Sequence, residues 1–369
     1  MSADGMKVPT VALVGTAGYG RRHLEQLLAW QADGVLRLAA LVDVNFDAET
    51  RRLVDIAAAV EPQYLSSIDG LEVDLVVIAT PPHTHFALAE RVLRSGSALY
   101  LEKPPVPLLS QLDALRAITP RRRAEVGFQQ ARATIERLEA LLPEVGDVER
   151  ITAHGCLSRP DSYYTRSPWA GAWYVNGTAV FDGALFNPLA HIVHTALTLA
   201  RRIDARWAAE SVEADLYSVH DITGDDTGVL RIRSSYGPVV VAVGTTAADV
   251  VRPPAITVHG TRGHVTVPHV ASTSIHPLLA ALNDIDGPAD RLIDLDAVRT
   301  FVDVVNQAVE VGEPVRIPVS EQQRIRAGVR CLPGIAELVD QVVSTGSLFA
   351  ELGSGWARRP APGMDREAM

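Results

Sequence analysis

Three short stretches of this 369-residue chain bring together residue types that can do chemistry at usable spacings. The first is GTAGYG at 15–20, set between the apolar run VALV and RRHLEQLL. Gly15 and Gly20 are its outer glycines, Ala17 holds the middle position with Gly18 beside it, and Tyr19 opens the following segment. A tight strand-to-helix turn of this kind aims N–H groups at a pyrophosphate on the positive end of a helix. Ala17 adds a methyl group to that approach, and tight turns also use glycine for steric reasons alone. Asp43 ends LAALVD about 20 residues further on, where an acid can accept from both ribose hydroxyls and repel a 2′-phosphate. This favours NAD over NADP, although Arg51 and Arg52 lie downstream and could receive a 2′-phosphate. The second stretch is ATPPHTH at 79–85 with LYLEKPPVPL at 99–108, where a Glu-Lys pair follows an apolar run and precedes two prolines. The third is FNPLAH at 186–191, in which Asn187 and His191 stand four apart, the spacing that shares one helix face.

The elements that must hold these residues are legible in the apolar period. From Val8 to about Phe128, VALVG, LRLAALVDV and VDLVVIAT alternate with RRHLEQLLAW, AETRRLVDIAAAV and HFALAERVLRSG. Continuous apolar strands alternating with amphipathic helices predict a parallel sheet covered on both faces. Ligands of such sheets gather beyond the C-terminal strand ends, and ATPP and LYLEKPP are both such ends. Pro104 restricts Lys103 to extended backbone. After a helix over 134–142 the texture becomes β: VERITAHGC, SVEADLYSVH, GVLRIRSSYG, PVVVAVGTTA and AITVHGTRGHVTV. PLAHIVHTALTLA at 188–200, DLDAVRTFVDVVNQAVEVG and RIRAGVRCLPGIAELVDQVV read as helices. The expected fold is thus α/β: a Rossmann domain over 1–126, an α+β domain with a largely antiparallel open sheet over 127–345, and a C-terminal tail over 346–369.

The totals exclude several classes. A net charge of −10 offers no general surface for nucleic acid, and no apolar run approaches the ~18 residues a membrane span needs. The opening residues lack a secretion pattern, and only Cys156 and Cys331 are present, so a cytoplasmic protein without a disulfide framework is expected. His154, His191 and His194 lack a carboxylate or Cys to complete a ligand set, and no metal is expected.

Ala79-Thr80-Pro81, His85 four residues after that proline, and Glu102-Lys103-Pro104 together resemble the signature of the glucose-fructose oxidoreductase and inositol dehydrogenase family, Gfo/Idh/MocA. The resemblance continues through VGFQQ, HGTRGHVTV and FVDVVNQAVEVGEPV, nearly the whole chain except the tail. It implies an NAD(P)-dependent oxidoreductase of carbohydrate metabolism that moves a hydride between nicotinamide and a secondary hydroxyl or carbonyl of a sugar, sugar derivative or cyclitol. It further implies that Glu102 and Lys103 border the nicotinamide, that Lys103 reaches the reacting hydroxyl, that Thr80, Pro81 and His85 belong to a cofactor loop, and that the chain forms a homodimer or homotetramer. The family usually carries Asp-x-x-x-His in its second domain; here Asn187 stands at the Asp position and His191 at the His. Asn cannot take a proton, so Lys103 is expected to share the proton work with His191 while Asn187 binds a hydroxyl. Asp182 is a second candidate for the acid. Asn187 before Pro188 also reads as a plain helix N-cap. The preceding loop SRPDSYYTRSPWAGAWY offers Tyr163, Tyr164 and Trp169 as flat faces and hydroxyls for a sugar ring. Asn187 leaves open a non-catalytic sensor of dinucleotide and sugar, and an enzyme with tightly held NAD for transient oxidation during hydrolysis or elimination is a further alternative.

Overall fold

A computed structural model of the chain describes residues 8–58, 60–118, 124–128, 131–269, 278, 281–282, 293–325 and 329–357. Its contacts divide into two compact units, Met1–Gln129 with Thr273–Val302, and Gln130–Ser272 with Asp303–Met369.

The first unit is built on β1 (Thr10–Val14), β2 (Arg37–Val42), β3 (Gln63–Leu65), β4 (Leu75–Ile78), β5 (Ala98–Leu101) and β6 (Ala124–Val126), all parallel in the order β3-β2-β1-β4-β5-β6. The order reverses between β1 and β4, and this switch point is where a doubly wound sheet opens a crevice at its C-terminal edge. β4 and β5 are buried at every position, which is why they read as unbroken apolar runs rather than alternations. The helices are α1 (Tyr19–Ala32), α2 (Ala48–Ala57), α3 (Pro82–Ser95) and α4 (Leu109–Ile118). α1 buries Gly20, His23, Leu24, Leu27, Leu28 and Gln31, a stripe of helical period against the sheet. α3 starts on Pro82, whose missing N–H costs nothing in a first turn, and stops at Gly96 with φ +94°. Leu278, Ala281 and Leu282 pack into the same core as Leu27 and Leu28, so this unit takes back a stretch of chain that lies within the expected second domain.

The second unit holds α5 (Ala131–Val145), β7 (Val148–Ser158), α6 (Asp161–Thr165), the short pair β8 (Tyr174–Val175) and β9 (Thr178–Ala179), α7 (Ala190–Ile203), β10 (Ser211–Ser218), β11 (Thr227–Arg233), β12 (Val239–Thr245), β13 (Ala247–Gly260) and β14 (Gly263–Pro268). It closes with α8 (Arg299–Val311), whose residues from Asp303 onward fall in this unit, then β15 (Val315–Arg316), β16 (Gln323–Ile325), β17 (Val329–Cys331) and α9 (Ile335–Thr345). The main sheet runs β14-β13-β7-β12-β11-β10-β15 and is mixed: β7 lies parallel to β12 and β15 to β10, while the other pairs are antiparallel.

Two expectations need correction here. Among the described residues of RIRAGVRCLPGIAELVDQVV, those before Pro333 are not helical; β16 and β17 pair antiparallel, and α9 begins only after Pro333 and Gly334, the latter at φ +73°. The tail does not begin at 346, because Leu348, Phe349 and Ala357 are buried against Tyr217, Val241 and Val339, with Trp356 packed at their side. Residues 358–369, the charged and proline-rich part of that expectation, lie outside the described residues.

Candidate active site

In the first unit the glycine turn is shaped by three separate demands. Gly15 adopts φ +88°, and a Cβ there would come within 2.7 Å of the Ala79 carbonyl oxygen and 2.9 Å of Thr80 Cγ2. Gly20 packs so closely beneath the turn that a Cβ would overlap the Gly15 carbonyl oxygen. Gly18, at φ +57°, needs glycine for its backbone alone, since a Cβ would meet nothing within 4 Å. The turn is therefore closed on its sheet side and open at Gly18 and the half-exposed Tyr19, a cradle suited to a pyrophosphate. Ala17 takes part in the turn through its backbone: its carbonyl accepts from Gly20 N at 3.0 Å. Asp43 Oδ2 accepts from Thr16 N at 2.7 Å and from Thr16 Oγ1 at 2.9 Å, so the acid also fastens the turn to the end of β2. Of the two downstream arginines, Arg52 forks onto Glu49 at 2.9 and 2.6 Å, and Arg51 lies over the Tyr64 ring at 5.1 Å.

The strand ends of β4 and β5 are tied together by His85. It is buried, its Nδ1 lies 2.9 and 3.0 Å from the carbonyls of Pro104 and Pro105, and its Nε2 lies 2.8 Å from the carbonyl of Thr80. Burial pushes its pKa down, and the three carbonyls push it the other way. His85 thus holds the two loops together from within, whereas the family resemblance implies a residue of the cofactor loop. Thr80 Oγ1 and Thr84 Oγ1 are 2.6 Å apart, and Pro81 precedes α3 at its extended cap position.

Glu102 likewise turns inward. Its Oε1 lies 2.8 Å from His23 Nε2 on α1, and its Oε2 accepts from the Lys103 amide at 3.1 Å. Gly127 leaves room for this carboxylate, because a Cβ there would stand 3.1 Å from Oε2. The Lys103–Pro104 peptide is cis. Lys103 itself is half-buried on a strand end whose preceding carboxylate is anchored to the helix of the glycine turn. His23 is the residue that sequence reasoning missed; its place on the apolar stripe of α1 was the available signal.

In the second unit α7 is seated by glycine. Gly155 on β7 and Gly244 on β12 are register partners, and Leu189 fills the gap above them; a Cβ at Gly155 would stand 3.0 Å from Leu189 Cδ2. Asn187 is not the cap of α7, which starts three residues later behind Leu189 with no side-chain cap. Its amide instead donates to Asp182 Oδ1 at 2.7 Å, while Asp182 Oδ2 accepts from Gly171 N at 2.7 Å. Asn187 therefore precedes the helix that carries His191, and a buried carboxylate stands directly behind it. Phe181, just before Asp182, holds φ +51°, a strained value for a bulky residue. Asp225 receives Trp173 Nε1 at 3.2 Å and Ala184 N at 2.9 Å, and burial pushes its carboxyl up to about 7.

Tyr163 and Tyr164 line one small hollow together with Asp182, Pro188 and Asp225. The Tyr164 hydroxyl is committed to Thr246 Oγ1 at 2.6 Å, and its ring leans on His220 at 4.6 Å, so it acts as a brace. Trp169 is partly exposed beside Arg166. His191 lies at the first turn of α7, its ring centroid 6.1 Å from that of His269. His194 is buried, and burial pushes its pKa to about 3. His154 projects from the face of β7 opposite Gly155 and α7, which removes it from any common ligand set with His191.

Residues 10–129 match the oxidoreductase family with the NAD-binding Rossmann fold. Together with the strand order and the glycine cradle, this defines an NAD-binding oxidoreductase. The family model matched is that of the Gfo/Idh/MocA oxidoreductases, and it covers residues 10–129 of the 369. A protein of Amycolatopsis mediterranei that carries the provisional name UDP-kanosamine synthase oxidoreductase subunit is 28% identical over 252 residues, 61% of this chain and 68% of that one. A UDP-N-acetylglucosamine 3-dehydrogenase of Acidithiobacillus ferrooxidans is 33% identical over 105 residues, 28% of this chain and 31% of that protein. In fold, the chain resembles the WlbA dehydrogenase of Bordetella pertussis, crystallised with NADH and UDP-GlcNAcA, at TM-score 0.65 and 19% identity over 82% of this chain and 96% of that one.

Proposed function

We propose that the protein oxidises a secondary hydroxyl of a sugar, sugar derivative or cyclitol with NAD, or runs the reverse reduction. The observation that carries this reading is Lys103 on the C-terminal end of β5, in the same parallel sheet as the glycine cradle at the end of β1 and on the same sheet edge. The relatives named for UDP-sugar substrates support a sugar-like substrate.

In this reading Gly15, Gly18 and Gly20 hold the pyrophosphate and Asp43 the ribose, and NAD supplies a hydride acceptor at its nicotinamide ring. Lys103 takes the proton of the reacting hydroxyl, a general-base step that needs a group within hydrogen-bond reach of that oxygen. Glu102 and His23 act as positioning residues that fix the backbone beneath Lys103. His191 shares the proton work, and Asn187, oriented by Asp182, binds a neighbouring hydroxyl.

The test is absorbance at 340 nm with NAD and a panel of sugars, UDP-sugars and cyclitols, repeated with Lys103→Ala. Turnover is expected to fall about a hundredfold or more, the usual worth of a positioned acid–base group. The NAD dissociation constant is expected to stay nearly unchanged. Undiminished turnover in the variant removes Lys103 from the mechanism.

A further inference from the structure

The arginines around Tyr163 have no part in the reading above. Arg159 follows β7, and its guanidinium carbon lies 5.1 Å from the centroid of the Tyr163 ring. Arg166 follows α6, with its guanidinium carbon 3.8 Å from the same ring and 5.3 Å from that of Trp169. From the ribbon, Arg330 Nε stands 3.2 Å and Arg324 Nη1 3.4 Å from Asp161, the first residue of α6. Four guanidinium groups therefore surround one short helix, and Asp161 is the acid shared by the latter two. Among the described residues neither Arg159 nor Arg166 has an ion-pair partner, and Arg159 Nε is buried without a hydrogen bond.

This concentration runs against the chain as a whole, which carries a net charge of −10. Each cation gains a little from the tyrosine face, but two of them on one ring repel each other, and an anion between or beside them would relieve the repulsion. Guanidinium forks match phosphoryl oxygens in pairs of parallel hydrogen bonds. Tyr163 also lines the hollow shared with Asp182 and Pro188, so the cationic group borders the segment that carries Asn187.

We propose that Arg159 and Arg166 recognise a phosphoryl or diphosphate group attached to the substrate, with Tyr163 and Trp169 as the flat wall beside it. The sugar part of that substrate rests on the dehydrogenase reading, while the anion site stands on the second unit alone. Arg166 is exposed, so its replacement spares the core.

The experiment is calorimetric titration of the full chain, with NAD saturating so that the nucleotide cradle is filled, using uridine diphosphate, glucose 1-phosphate and inorganic phosphate as probes. Wild type is expected to bind the first two, more weakly as salt is raised. Arg166→Gln, and Arg159→Gln with Arg166→Gln, are expected to weaken that binding about tenfold or more, as loss of a charge-assisted hydrogen bond would. Melting temperature and NAD affinity check that the variants are folded. Equal binding of the two organic probes assigns the site to a sugar phosphate, and tighter binding of uridine diphosphate assigns it to a nucleoside diphosphate sugar. No binding to wild type, or binding unchanged in both variants, overturns the proposal. If no sugar supports NAD reduction yet arginine-dependent binding persists, the dehydrogenase reading fails and the anion site remains. Reduction with neutral sugars and no arginine-dependent binding overturns the anion site and leaves the dehydrogenase reading standing.

Discussion

Asn187 stands where the family places an acid, yet the carboxyl is present one step away: Asp182 accepts the Asn187 amide at 2.7 Å. Restoring the usual residue is therefore expected to harm this protein. Asn187→Asp would set a second carboxyl against a buried one, and two carboxylates that close share a proton, which raises one pKa above its unfolded value. A raised folded pKa gives stability that is complete at low pH and lost as pH rises through it. The variant should melt like wild type near pH 4 and fall behind it by about 1–3 kcal/mol toward pH 8, the cost of an unsatisfied buried acceptor. Parallel melting curves for both proteins across that range would sink the argument. Glu102 shows the same logic in the first unit, where the side chain that motif reading turns toward a ligand is spent on His23 and on the Lys103 amide.

At the scale of elements, α1 is locked to β1 through contact between backbones. A Cβ at Gly20 would overlap the Gly15 carbonyl, and neither partner is a flexible side-chain end that could swing away. Gly20→Ala is expected to push α1 off the turn at a cost of about 1–3 kcal/mol. NAD affinity should fall about tenfold for each ~1.4 kcal/mol of cradle geometry lost. Fluorescence titration with NADH checks this, and wild-type affinity would show that the helix end does not shape the cradle. The elements around this junction were legible in the sequence, since four-residue strands buried throughout and a helical stripe from Gly20 to Gln31 leave little choice of structure. The ribbon β16–β17 was not legible. RIRAGVRC is short and its alternation is weak, so its state depends on pairing that no local pattern encodes.

For the whole molecule, each unit carries its own core. In the second, one side of the mixed sheet supports α7 through Leu189, and the other is covered by α9 and the turn that follows it. Phe349 is fully buried there against Tyr217 and Trp356. Phe349→Ala should cost about 3–5 kcal/mol, as large core truncations do. Calorimetry of the intact chain reads this directly, and a loss under ~1 kcal/mol would mean that residues 348–357 do not belong to the core.

By itself the sequence determined the parallel sheet, the glycine turn with Asp43, the strand-end position of Lys103 and the helix that carries His191, because all of these follow from apolar period and backbone constraint along a continuous stretch. Only the tertiary structure decided where the polar side chains are spent: Glu102 on His23, His85 on the carbonyls of two loops, Asn187 on Asp182, and the arginines gathered about Tyr163. Glu102 and His23 lie 79 residues apart, and a hydrogen bond between such partners exists only once packing has brought their elements together and removed the water that would otherwise satisfy them.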